Sequence, residues 1–481
     1  MTGRLRLLTE DQIEEIHSAT LEILQEPGIA VENPEALRLL REAGCEVEGE
    51  TVRIDEELVD ECLKRAPSVI DIYTRDGEKR MPVGGDNIYF SPASTALYFI
   101  DHETGEIRKA RAQDLVNLVR VADALDSIEM LSTAAVPSDV PQEIADLYRL
   151  YIVLRNSVKP IITGAFSKQG LIDMIEMLSA VVGGPEELRR RPIAFFDCCP
   201  RSPLTWGDLS TQNLLDCAER MVPVEIDPAP NIGVSSPVTL AGTLVQMNAE
   251  LLSGYVISQL KRAGAPVVYG SVPFVFDMRY GTNRIGAVEA MMVACAGAEL
   301  GKHYGLPTHT VAVSDSKVVD AQSLMETAMG LTLMTLVRVN NISGPGMLMF
   351  DNCQSLEKLV IDAEACRMLL RLLRGLRVDE EALAVDVIRR VGHGGHFLGE
   401  KHTLLHHLEE VWMPSDVICR LSLDAWRKEG MKTILDRARE RVDEILKAHQ
   451  PKPLSKEAEE ALEERLRAIL KRYGIPHPGG G

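Results

Sequence analysis

The stretch "KPIITGAF" (159–166) decides the fold. A proline leads into a short apolar run with no polar alternation, and a glycine follows it. Such a run suits a strand covered on both faces, as in parallel sheets whose outer side is packed by helices. The pattern recurs in "NIYFSPASTALYF" (87–99), "SIEMLSTAAVP" (127–137), "PIAFFDCC" (192–199), "VPVEIDPAP" (222–230), "APVVYGSVPF" (265–274), "LPTHTVAVSD" (306–315) and "NISGPGMLMF" (341–350). Helix-length segments follow, of which "TLVQMNAELLSGYVISQLKRAG" (243–264) is typical. Eight such repeats predict an α/β chain, a (β/α)8 TIM-type barrel. A doubly wound dinucleotide-binding sheet is disfavoured, because no GxGxxG follows the first strand, and no P-loop is present.

Outward from the barrel, residues 1–84 read as an N-terminal helical cap, 85–376 as the barrel and 377–481 as a C-terminal helical extension and tail. Thr9 to Gln12 matches a capping box, and Ile13, Ile16 and Ile23 share one helix face. Asn33 before Pro34 starts a second helix, "CEVEGETVRI" (45–54) reads as a hairpin, and Asp55 opens a third helix. The tail "IPHPGGG" (475–481) reads as disordered.

The 481 residues carry a net charge of −19, which argues against nucleic acid and anionic membrane surfaces. No apolar stretch has the length of a membrane span, and nine cysteines without CxxC spacing fit reduced thiols, so a cytoplasmic protein is expected. Aromatics make up only 5% of the chain, so each one near a strand end gains weight.

Barrels of this kind work at the carboxyl ends of their strands. Asp227 and Asp315 lie there as a candidate carboxylate pair, with helix capping as the plainer alternative. Lys317 in "SDSK" suits either a Schiff-base lysine or an ion-pair partner. Five of the eleven histidines crowd residues 393–407. His402 and His406 share a helix face, as metal ligands do, but no HExxH is present and a structural role is preferred.

The segments "SDSKVVDAQ" (314–322), "SLEKLVIDAE" (355–364) and "GGHFLGEKHTL" (394–404) resemble those of the trimethylamine methyltransferase (MttB) superfamily. The resemblance implies an α/β barrel that moves a methyl group from a methylated amine to the Co(I) of a corrinoid carried by a partner protein, with no cofactor bound directly. The sequence has no pyrrolysine, so it is similar to the branch of glycine betaine:corrinoid methyltransferases, which act on quaternary amines. A quaternary nitrogen has no lone pair for a Lewis acid, so no metal is expected. Aromatic faces should hold the cation. Tyr98 and Phe350 are the first candidates, with Phe166, Trp206, Phe276 and Tyr280 in reserve. Arg279, Asn352 and His402 are candidate donors to a substrate carboxylate, and Asp227 and Asp315 candidate balances for the ammonium. Homo-oligomerisation is left open. The competing expectations are a zinc-dependent methyltransferase or hydrolase on the His393–His407 cluster, and a non-catalytic betaine-binding barrel.

Overall fold

A computed structural model describes residues 4–476, so residues 477–481 of the expected disordered tail lie outside it. Eight short parallel strands appear where the repeats place them. They are β1 (Tyr89–Ser91), β2 (Leu131–Ser132), β3 (Ile161–Thr163), β4 (Ala194–Cys198), β5 (Val224–Ile226), β6 (Val267–Tyr269), β7 (His309–Val311) and β8 (Asn341–Ser343). The sheet forms two arcs, β6-β5-β4-β3-β2 and β7-β8-β1. One seam is a parallel bridge between Tyr269 and Thr308. At the other, the amides of Glu129 and Met130 donate to the Phe90 carbonyl at 3.0 and 3.2 Å. These bonds complete the ring.

The helices between strands are α1 (Ala112–Asp123), α2 (Ala145–Asn156), α3 (Lys168–Val182), α4 (Asp208–Arg220), α5 (Leu240–Lys261), α6 (Val288–His303), α7 (Ala321–Val337) and α8 (Leu356–Leu373). Alternate strand residues face them: Phe90, Leu131, Ile161, Phe196, Val224, Val267 and Ile342 join the main core outside the ring. The other set faces inward, and it is stratified. Tyr89, Met130, Ile162, Phe195 and Val268 form an apolar floor with Ile70, Ile72, Met81 and Val83. Those last four come from an antiparallel hairpin, Val69–Tyr73 with Arg80–Gly84, that plugs the amino end of the ring. The segment read as a helical cap therefore also carries strands. The hairpin at 46–53 is present as expected, and Ile29–Val31 joins it to Thr205–Trp206.

Cap helices Glu10–Gln25 and Glu56–Arg65 lie on α5, which explains why α5 is buried on nearly every side. Helix Ile434–Ala448 covers α8 and α1, and Lys456–Tyr473 covers α3. Between α8 and residue 434, four short helices bury none of their residues. Among the described residues, no helix is long and apolar enough to cross a membrane.

Candidate active site

Above the apolar floor the inward positions turn polar. Strand β5 carries Glu225 inward and Asp227 one step beyond it. Strand β7 begins with His309, β8 supplies Asn341 and Ser343, and β1 supplies Ser91. Their hydrogen bonds fix one consistent set of directions. Asn341 Nδ2 donates to Glu225 Oε1 at 3.0 Å, and Ser91 Oγ donates to Asn341 Oδ1 at 3.3 Å. Ser343 Oγ then donates to Ser91 at 2.8 Å, which leaves it accepting from His309 Nε2 at 3.0 Å. The other imidazole nitrogen, Nδ1, meets Asp227 Oδ1 at 2.8 Å and Glu225 Oε2 at 3.6 Å. Both ring nitrogens donate, so His309 is an imidazolium. Burial alone would lower its pKa, but Asp227 and Glu225 outweigh that and raise it to about 10.

A cavity of about 240 Å³ opens above this network. Asp197 at the end of β4, Asp227, His309, Cys199, Phe274 and Asp351 line it. Asp197 and Asp351 turn part of their surface to the cavity, while Oδ1 of each is sealed from solvent and lacks a hydrogen-bond partner, as does Oε2 of Glu225. Burial, then the neighbouring Asp227, pushes Asp197 well above the ordinary carboxyl range. Burial likewise raises Glu225 to about 7 and Asp351 to about 8. Arg149 lies fully buried near Asp197 and donates to the carbonyls of Thr133 and Gly164.

Two backbone features hold the site. Gly270 follows β6, and a Cβ there would lie 1.8 Å from Asp227 Oδ1, so only glycine leaves room for that carboxylate. Met349, Phe350 and Asp351 all have positive φ (54°, 60° and 69°), a run of strained residues that turns Asp351 into the cavity.

Of the residues singled out from sequence, the structure brings Asp227 into this cavity. Asp315 instead accepts the amides of Ile285 and Gly286, both at 3.0 Å, and so pins the loop before α6. Lys317 is exposed, donates to the Asp315 carbonyl and rests 4.0 Å above the Phe350 ring. Tyr98 pairs beside Cys353 in a small sheet above the ring, and the Phe350 turn belongs to the hairpin next to it. Asn352 bonds the backbone of Leu97 and Tyr98 there. None of these side chains lines the cavity. Phe166 is 44% exposed, with the Arg149 guanidinium 4.6 Å from its ring centre. Trp206 is fully buried against α5, donating to Ser253, which makes it a packing residue between cap and barrel. Phe276 sits in a hairpin strand opposite Asn283, and Arg279 pairs with Asp277 beside Tyr280. His402 and His406 both bond Glu381, tying two short helices of the extension together. Among the described residues, the one set of three side chains close enough to share a metal ion is Glu225, Asp227 and His309, not the histidine-rich segment.

Glu225, His309 and Asp351 were missed from sequence. The signal for the first two was present, as charged residues inside otherwise apolar strands ("VEID", "THTV"). Asp351 had no such signal.

The model of the trimethylamine methyltransferase (MTTB) family matches residues 2–472. A glycine betaine methyltransferase of Desulfitobacterium hafniense is 35% identical over 98% of this chain and 98% of its own. Trimethylamine methyltransferases of Desulfitobacterium hafniense and Methanosarcina mazei are 31% and 34% identical, over 97% and 94% of this chain and 94% and 92% of theirs. The solved monomethylamine methyltransferase of Methanosarcina barkeri shares the fold, with a TM-score of 0.55 at 11% identity over 99% of this chain and 90% of that one. The chain belongs to the trimethylamine methyltransferase family.

Proposed function

We infer that this protein is an amine methyltransferase that takes a methyl group from a quaternary amine, with glycine betaine or a related betaine as the first candidates. The methyl acceptor is the Co(I) of a corrinoid carried by a separate partner protein, and the work is done in the cytoplasm. Residues 85–376 are the catalytic barrel, 1–84 its cap and 377–481 its extension. The observation that carries the reading is the cavity itself: Asp197 and Asp351 line it with sealed, unpartnered oxygens, Asp227 lines it beside them, and the one cation among the described lining residues, His309, is already engaged by Asp227 and Ser343. A quaternary ammonium needs negative charge nearby but cannot donate a hydrogen bond, so carboxylates at van der Waals distance suit it. Phe274 supplies an apolar wall, and the narrow cavity holds the N-methyl carbon in line with an acceptor arriving from the open end.

Charge changes during the reaction. The ammonium becomes a neutral tertiary amine as its methyl leaves, so carboxylates that attract the substrate do not by themselves lower the barrier. Asp351 answers this change. With its pKa near 8 it holds or takes up a proton at neutral pH, and the leaving amine, a much stronger base, removes that proton and departs as an ammonium ion.

The test is spectroscopic. Purified protein is mixed with a cognate corrinoid protein reduced to Co(I), and glycine betaine, carnitine, proline betaine, choline and trimethylamine are added singly. Methyl-Co(III) formed with a quaternary amine but not with trimethylamine is the expected result. Silence across the panel, with an acceptor shown to be competent, removes the reading.

A further inference from the structure

Asp351 and Asp197 line the cavity with no hydrogen bond reaching either carboxyl group from any described residue. Buried carboxylates elsewhere in the chain show what satisfaction takes. Glu250 accepts from the Leu204 amide, Ser202 Oγ and Gln246 Nε2, all at 2.8–2.9 Å. Asp362 accepts from Lys358 at 2.6 Å and from the Gly346 amide at 2.8 Å. A carboxyl group taken out of water without donors is costly, so one facing a cavity points to a donor brought by the ligand. The chain even strains its backbone to place Asp351 there, through three successive positive φ values.

The remaining lining sharpens the point. A site made for a quaternary ammonium alone would gather aromatic faces around it. Here Phe274 is the one Phe, Tyr or Trp among the described lining residues, and it stands beside three aspartates. The donors of His309 are already spent on Asp227 and Ser343. A quaternary nitrogen, shielded by four carbons, gives these aspartates charge but no hydrogen bond. A protonated tertiary amine gives both.

The reaction itself produces such a donor. As the methyl carbon bonds to the electron pair of its acceptor, the C–N bonding pair stays on nitrogen as a lone pair. That pair takes the Asp351 proton, and the product is a tertiary ammonium whose N–H meets the carboxylate just formed. Substrate is held by charge and shape. Product keeps the same charge and adds a charge-assisted hydrogen bond in a buried setting. Such a bond is worth roughly ten- to a hundredfold in a binding constant.

We propose that the cavity binds protonated tertiary amines more tightly than quaternary amines, through an N–H donated to Asp351, so that the product of demethylation is retained and its release limits turnover. The tertiary amine arises from the methyl transfer inferred above, and to that extent the proposal rests on that reading. The order of affinities needs no turnover.

The test is calorimetric titration of the full-length protein at pH 7 with two matched pairs: tetramethylammonium against trimethylammonium, and glycine betaine against N,N-dimethylglycine. Each pair differs by one methyl replaced with a proton. The tertiary member should bind about tenfold more tightly or better in each pair that binds, and Asp351→Asn should cut that preference below about threefold. A wild-type preference under about threefold in a pair that binds overturns the proposal. So does a preference that Asp351→Asn leaves unchanged, and so does failure of all four compounds to bind. Methyl-Co(III) formation is read separately. Methyl transfer without the tertiary preference removes this proposal and leaves the methyltransferase reading standing, whereas the preference without methyl transfer removes that reading and leaves the binding site.

Discussion

Replacing Asp227 with asparagine should destabilise the protein in a way that depends on pH, because it removes the main partner of a buried charge. His309 is buried, and its pKa rises from an unfolded value near 6.5 to about 10. A histidine raised on folding contributes stability that is fully present below the unfolded pKa and lost as pH climbs through the folded one. At 1.36 kcal/mol per pKa unit, the charged imidazole contributes about 4 kcal/mol at pH 7. Glu225 remains 3.6 Å away in the variant and retains part of this, so the expected loss is about 2–4 kcal/mol at pH 7. The difference between wild type and Asp227→Asn should be largest near pH 6 and shrink steadily toward pH 10. Urea unfolding at a series of pH values measures it. A loss below about 1 kcal/mol, or one that stays constant from pH 6 to 10, would refute the claim that Asp227 holds a charged His309.

Four further outcomes are expected. Affinity for the quaternary amine should rise several-fold as pH increases through 7 and 8, because Glu225 (about 7) and Asp351 (about 8) ionise there. Asp351→Asn should flatten the upper part of that rise in calorimetric titrations. Gly270→Ala should drive Asp227 from its place and weaken amine binding at least tenfold, since the new Cβ meets its Oδ1 at 1.8 Å. Lys358 is fully buried, with Nζ 2.6 Å from Asp362, whose carboxylate also accepts the Gly346 amide. Lys358→Met strands that carboxylate and should cost about 3–5 kcal/mol in urea unfolding. His402→Ala should leave turnover within about twofold of wild type and metal content unchanged, because its ring bonds the Glu381 carbonyl and packs on His406 within the extension, away from the cavity.

The two carboxylates paired from sequence show where strand-end reasoning stops. Asp227 and Asp315 both follow apolar strands, and the linear pattern treats them alike. Their fates differ because β5 and β7 flank β6 and both turn side chains into the ring, which brings His309 to Asp227, while Asp315 falls next to the amides of Ile285 and Gly286. The aromatic candidates fail to gather for a similar reason. Tyr98 and Phe350 lie just past the first and last strands, but the chain there forms an extra sheet above the ring instead of ending at it. Phe274, which does line the cavity, passed unnoticed inside an apolar run.

The sequence by itself determined the eight strand-helix repeats, the caps of the first helices and the hairpin that follows them, because these depend on short-range periodicity and local hydrogen bonding. It also carried the family, in motifs between residues 314 and 404. Only the tertiary structure decided which inward side chains share a layer, and hence that Glu225, Asp227 and His309 meet above an apolar floor sealed by the 69–84 hairpin. The physical reason is that a barrel site is assembled across strands far apart in sequence. Strand order, inward alternation and the left-handed turn at 349–351 set its distances, and none of these is encoded in the spacing of residues along one strand.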